Sequence, residues 1–227
     1  MTWRIYRDGE VVADALPGST TSWTDPTHDA ASARSPCYTA ELTFTASGNH
    51  SQHAPPVCWW GAGAARVRSI AAGAMTHVGG SASTEHGRLH YGGWGDEGHS
   101  LTVSSFTAAQ SGPHLLQLVY GNGAGAISTG ITCAVKRVVV EEVATGRVAA
   151  EGPVIMPHLG DWSRWADSSF VRAELSAGTE YRVVIRGDDE VVNMSALAPF
   201  ERYPGGLGGA SGTFFRANVA ELRILAR

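Results

Sequence analysis

The 227-residue chain is 43% hydrophobic and 17% charged and contains 28 glycines, a balance that suits short strands joined by tight turns and excludes a disordered chain. A net charge of -4 with no cluster of Lys and Arg excludes a phosphate-condensing surface, so nucleic acid is not an expected partner. No apolar run reaches the roughly 18 residues a bilayer span requires, and Met1-Thr2-Trp3-Arg4-Ile5 has no signal-peptide pattern, so neither a membrane anchor nor an export signal is expected.

From the start of the chain, Thr2 to Arg7 alternates large and polar residues and turns at Asp8-Gly9 into Glu10-Val11-Val12-Ala13, the pattern of a hairpin. Asp14 to Gly18 reads as a turn, Thr20 to Thr24 as a short strand ending at Asp25-Pro26, and Cys37 to Thr45 as a further strand before Ser47-Gly48-Asn49. Pro55-Pro56 stiffen the chain and Gly61-Ala62-Gly63 let it change direction, which predicts two domains, 1–62 and 63–227. Of the three cysteines, Cys37 and Cys58 fall in the smaller domain and Cys133 far away in the larger one, so a Cys37–Cys58 disulfide is expected. Such a bridge stabilises a domain with a thin core and implies an oxidising compartment, hence secretion. Cys133 is expected to be a buried free thiol.

In the second domain the strand candidates are Ala65 to Ala71, Gly87 to Tyr91, Ser100 to Phe106, His114 to Tyr120, Thr132 to Glu142, Arg147 to Ile155, Ser169 to Leu175, Glu180 to Gly187 and Ala217 to Leu225. None has helical periodicity. The class is therefore all-β, and the turn-rich spacers point to a sandwich, with His114 to Tyr120 and Tyr181 to Ile185 apolar enough to be central strands. Residues 193–212 form a long insertion before the last strand, the kind of loop that often carries function, and it is expected to bring Tyr203 or Arg216 to a binding site.

Two stretches resemble known families. The Asp-Gly hairpin, Ser22-Trp23-Thr24-Asp25, and Cys37-Tyr38-Thr39-Ala40 followed by Ser47-Gly48-Asn49-His50-Ser51 resemble the second half of a fibronectin type III domain over residues 2–60. That family's first two strands would precede Thr2, which implies an incomplete sandwich with an exposed edge. Residues 66–226 resemble family 6 and family 35 carbohydrate-binding modules. The resemblance rests on Tyr120-Gly121-Asn122-Gly123, on the loop Pro157-His158-Leu159-Gly160-Asp161-Trp162-Ser163-Arg164-Trp165 with its following strand and Ala177-Gly178 turn, and on the closing strand Ala217-Asn218-Val219. It implies a jelly-roll-like β-sandwich that binds polysaccharide without breaking it and targets a linked glycoside hydrolase or lyase to its substrate.

The resemblance also implies a site. Tyr91 or Trp94 and Trp162 would form aromatic walls, Asn218 a polar contact at the sugar's edge, and His158, Asp161 and Arg164 further polar groups, while Trp165 is expected in the core. The physical logic is that the C–H face of a pyranose packs on an indole while its hydroxyls need directional partners. The family often carries a structural Ca2+, but here Val67-Arg68-Ser69-Ile70-Ala71-Ala72 has no carboxylate and Ala220 stands where an aspartate is expected. Asp96, Glu97, Asp161 or Asp167 are the remaining acidic candidates, with Glu221 facing the other side of its strand.

Other signals are weaker. His86, His90 and His99 lack paired zinc spacing and read as surface residues, and Gly121 to Ala126 is followed by no helix that would make it a nucleotide loop. Asp161 with Glu201 and Asp188 with Asp189 are carboxylate pairs with no supporting motif. Two rival functions follow: a sandwich hydrolase or lyase with its acid and base in and around 193–212, and a spacer or docking domain with an apolar patch around Trp3, Trp59 and Trp60. A monomer is expected.

Overall fold

Asp8 and Gly9, at φ 52° and 92°, form the two-residue turn that the twist of paired strands favours, and they join β1 (Thr2–Arg7) to β2 (Glu10–Pro17). The structure, a computed structural model, describes residues 1–29, 31, 35–54, 56–59, 67–123, 133–187 and 216–227. The chain divides into two compact units, Met1–Val67 and Arg68–Arg227.

In the first unit β3 (Cys37–Phe44) pairs antiparallel with β1, and two short strands, β4 (Asn49–His50) and β5 (Val57–Cys58), pair with β3. Cys37 stands opposite Cys58 in the β3–β5 pair and the two are joined by a disulfide. Among the described residues these five strands make one sheet, and the expected strand over Thr20–Thr24 does not form. Tyr6, Trp3, Ile5, Leu42 and Trp59 are each only half-buried, so the disulfide fastens a sheet that has little apolar interior of its own.

The second unit is an all-β sandwich. One sheet runs β13 (Val148–Pro157), β12 (Cys133–Glu142), β16 (Glu180–Arg186), β10 (Ser100–Thr107) and β7 (Thr76–Val78). The other runs β14 (Trp165–Asp167), β11 (Gly112–Gly121), β17 (Ala217–Ala226), β9 (His90–Trp94) and β8 (Ser81–Ser83), with β15 (Val171–Leu175) also on β11 and β6 (Val67–Ala71) on β17. As their composition requires, the strands holding His114 to Tyr120 and Tyr181 to Ile185 are flanked on both sides. Alternation does the packing: Tyr181, Val183 and Ile185 of β16 are buried between exposed or half-buried neighbours and join Leu116, Leu118, Tyr120, Leu222 and Ile224 in the core.

Two differences from the sequence reading matter for the site. The strand expected at Gly87 to Tyr91 lies instead at His90–Trp94, and the loop tryptophan Trp165 opens a short strand, β14, on the edge of β11. Strands β7, β8 and β14 are only three residues long, too short to leave a periodic signal.

Candidate functional site

The loop 158–164 is fixed from below. Asn122, fully buried, donates its side-chain amide to the carbonyl of Met156 at 2.9 Å, and its own carbonyl accepts from the Leu159 N–H at 2.8 Å. A Cβ on Gly121 would stand 2.5 Å from the Trp162 carbonyl oxygen, and one on Gly123 would stand 2.6 Å from the Trp162 nitrogen and 2.9 Å from the indole Cδ1. The glycines of Tyr120-Gly121-Asn122-Gly123 thus let the loop lie directly on the strand end. Inside the loop Asp161 Oδ1 accepts from both the N–H and the hydroxyl of Ser163 at 2.8 Å. These bonds, with the charges of Arg164 and His86, hold the Asp161 carboxyl below the usual aspartate range. Gly160, at φ 86°, donates to His158 Nδ1 at 2.9 Å, and Arg164 donates to the Leu159 carbonyl at 3.3 Å.

The facing wall comes from β9 and the turn before it. His90 is 1% exposed and its Nδ1 lies 2.8 Å from the Arg88 carbonyl. A carbonyl only accepts, so Nδ1 carries a proton and Nε2 is left for another partner. A Cβ on Gly92 would meet His90 Nε2 and Asn218 Oδ1 at 3.4 Å each, so these two atoms border the same small space above a residue that has no side chain. A bulge between Val119 and Tyr120 sets the register that puts Asn218 opposite Gly121, and its amide donates to the Trp162 carbonyl at 3.5 Å. Trp165 donates from Nε1 to the His86 carbonyl at 2.9 Å, meets the His90 ring edge-on at 5.4 Å and lies under the Arg88 guanidinium at 5.3 Å.

The structure therefore brings together Trp162, Asn218, Asp161, His158 and Arg164 from the sequence-predicted set, with Trp162 and His158 half-buried and Asp161 and Arg164 exposed. It corrects others. Trp94 is fully buried and Tyr91 is 6% exposed, with its hydroxyl donated to the Met75 carbonyl at 2.9 Å, so neither offers a ring face to a ligand. Residues 91 and 94 of a regular strand would point to opposite faces; Gly93, at φ 61°, breaks the alternation and lets both enter the core. Trp165 is half-buried beside His86 and His90 and not in the apolar core. His90, expected on the surface, is buried. Arg216 is held by Asp96 through two hydrogen bonds of 2.7 Å, which takes it away from the sugar contact expected of it. Tyr203, Glu201, Asp188, Asp189 and the rest of 193–212 except its flank at Arg216 lie outside the described residues, as does Trp60.

Sequence reasoning missed His86, Arg88 and His90 as neighbours of the loop. Their proximity comes from β9 lying beside β17, which no local pattern encodes.

Among the described residues the acidic candidates do not assemble a Ca2+ cage. Asp96 is engaged by Arg216, Asp167 by Arg223 at 2.9 Å, Glu221 by Arg223 at 3.1 Å and Asp161 by Ser163, while Ala220 is buried. Among the described residues no group of three or more His, Cys, Asp or Glu could hold a metal ion. His99 Nδ1 accepts from the N–H groups of Gly95 and Asp96 at 3.3 Å each, away from any shared centre with His86 and His90. Cys133 is a free, half-buried thiol pushed up to about 11 by burial. Among the described residues no helix is long and apolar enough to cross a membrane.

No family model and no curated protein matches the chain. Among solved structures the chain is similar to the C-terminal family 6 carbohydrate-binding module of the laminarinase LamC of the marine Zobellia galactanivorans, at 15% identity over 70% of this chain and 99% of that one, TM-score 0.46. A family 35 carbohydrate-binding module of Clostridium thermocellum is similar at 16% identity over 71% and 98% of the two chains, TM-score 0.46. A Paenibacillus cycloisomaltooligosaccharide glucanotransferase in complex with cycloisomaltoheptaose is similar at 16% identity over 68% of this chain and only 18% of that one, TM-score 0.47.

Proposed function

We propose that the second unit is a non-catalytic carbohydrate-binding module of a secreted, polysaccharide-degrading protein, and that its site lies where the loop 158–164 meets β9 and β17. The observation that carries this reading is the convergence of the Trp162 loop, Asn218 Oδ1 and His90 Nε2 around the space above Gly92. The Trp162 indole packs against the C–H face of a pyranose, and the two acceptor atoms take its hydroxyls. The order of motifs along residues 66–226 supports the same reading. A linked glycoside hydrolase or lyase then gains a higher local substrate concentration, and affinity for a single site is expected between micromolar and millimolar, about -4 to -8 kcal/mol. The first unit, on its resemblance to a fibronectin type III domain, is read as the accessory piece beside it.

The test is affinity electrophoresis of the wild type, Trp162→Ala and Gly92→Ala against neutral and acidic polysaccharides, with and without chelator. A methyl at Gly92 meets only ordinary contacts at 3.4 Å, so that variant keeps the fold while filling the site. Retardation of the wild type that both variants lose is expected, with no chelator effect. Equal mobility of all three proteins on the whole panel sinks the reading in favour of a spacer.

A further inference from the structure

The first unit contains a cleft of about 520 Å3 whose walls include Trp23, Tyr38, Val57 and Trp59, with Asp25, His28 and two threonines, Thr24 and Thr39, among its polar groups. Its walls are held in place before any ligand arrives. Tyr38 follows Cys37 in β3 and pairs with Val57 of β5, so the disulfide fixes that wall, and Asp25 ties the facing segment to it by accepting from the Tyr38 hydroxyl. Trp59 adds a hydrogen bond from its N–H to the Pro36 carbonyl at 2.9 Å.

The polar groups differ in kind. The Asp25 side chain is 5% exposed and saturated: Oδ2 accepts from Arg7 at 2.6 Å and from the Tyr38 hydroxyl at 3.0 Å, and Oδ1 accepts from the N–H and hydroxyl of Thr27 at 2.8 and 2.7 Å. This neutralised pair leaves no free charge to bind an ionic ligand. His28 is the opposite case. Its ring stands edge-on to Trp59 at 4.7 Å, and its buried Nε2 has no hydrogen-bond partner among the described residues. A buried polar atom without a partner is rare in folded chains, and here it belongs to a side chain that lines an aromatic cleft.

We infer that this cleft is a second saccharide site, independent of the one in the other unit, which takes an uncharged pyranose ring between its aromatic walls and satisfies His28 with a ring hydroxyl. A hydroxyl both donates and accepts, so it serves His28 in either tautomer, whereas the carbonyls of a proline-rich peptide, the other ligand that favours aromatic grooves, only accept. Volume and lining match small-ligand sites: mostly apolar and aromatic, with few polar groups.

The experiment uses the full chain in affinity electrophoresis with barley β-glucan, laminarin, dextran and arabinoxylan. Trp162→Ala is compared with Trp162→Ala carrying either Trp23→Ala or Val57→Glu; Val57 is 59% exposed, so the second change leaves the fold intact. The expected result is residual retardation in Trp162→Ala that either cleft change weakens at least tenfold. If Trp162→Ala alone abolishes all retardation, the cleft proposal is overturned and the other site stands. Residual retardation that ignores both cleft changes overturns it as well. Retardation lost on the cleft changes alone and untouched by Trp162→Ala supports the cleft and removes the other site, and no retardation of the wild type removes both. Decaproline, added as a competitor in a tryptophan-fluorescence titration, overturns the proposal if it binds in a Trp23-dependent way more tightly than every glycan.

Discussion

The Trp162 nitrogen stands 2.6 Å from the place a Cβ on Gly123 would occupy, so the loop carrying the indole is seated on a strand end that accepts only glycine without a shift. Gly123→Ala and Gly121→Ala are therefore expected to displace the loop and weaken glycan retardation at least tenfold with Trp162 still present. The changes act at the buried end of β11, where the added methyl meets loop backbone, so urea unfolding should shift by about 1–3 kcal/mol, the usual cost of overpacking.

Trp94 and Trp162 should separate cleanly in two measurements. Trp94 is fully buried, with Lys136 Nζ 5.8 Å from its ring. Trp94→Ala is expected to cost about 3–5 kcal/mol in urea unfolding, as for other large-to-small core changes. Trp162→Ala should cost much less stability and abolish second-unit binding instead. Equal stability losses would contradict the assignment of one indole to the core and the other to the site.

Lys136 gives a pH signature. It is 3% exposed, donates to the Gly95 carbonyl at 2.6 Å, and is pushed down to about 8 by burial, with Asp96 pulling the other way. Below pH 8 the folded and unfolded chains both carry the proton and the full burial cost is present. Between about 8 and its ordinary 10.5 the folded chain sheds the proton while the unfolded chain keeps it, so stability rises with pH. Relative to Lys136→Met, the wild type is expected to gain about 3 kcal/mol across that window, measured by urea midpoints at a series of pH values. A flat difference would show that Lys136 keeps its ordinary value in the fold.

The disulfide should matter to one unit only. Cys37 and Cys58 are 21 residues apart, and closing such a loop is worth about 3 kcal/mol in the chain-entropy description. A Cys37→Ser, Cys58→Ser double variant is expected to open residues 1–67 to limited proteolysis while the second unit, whose core cluster contains no residue of the first, resists as before. Simultaneous cleavage of both units would refute that independence.

The sequence by itself determined the all-β class, the Asp8-Gly9 hairpin, the pairing of Cys37 with Cys58 and the central strands of both sandwich sheets. Each is a local matter: alternation with period two, a dipeptide suited to positive φ, two cysteines in one small unit. It also singled out the Trp162 loop and Asn218. Tertiary structure alone decided which aromatic rings are buried. The resemblance to carbohydrate-binding modules implied Tyr91 or Trp94 as a binding wall, yet the positive φ at Gly93 lets both enter the core. His90 reads as a surface residue and is buried, because the pairing of β9 with β17 carries it beneath Trp165 and next to Asn218. Arg216 looks free in the sequence and is bound by Asp96, 120 residues earlier. Such contacts depend on which strands become neighbours across the sheets, and that choice is made by the burial of the whole core rather than by any short stretch of chain.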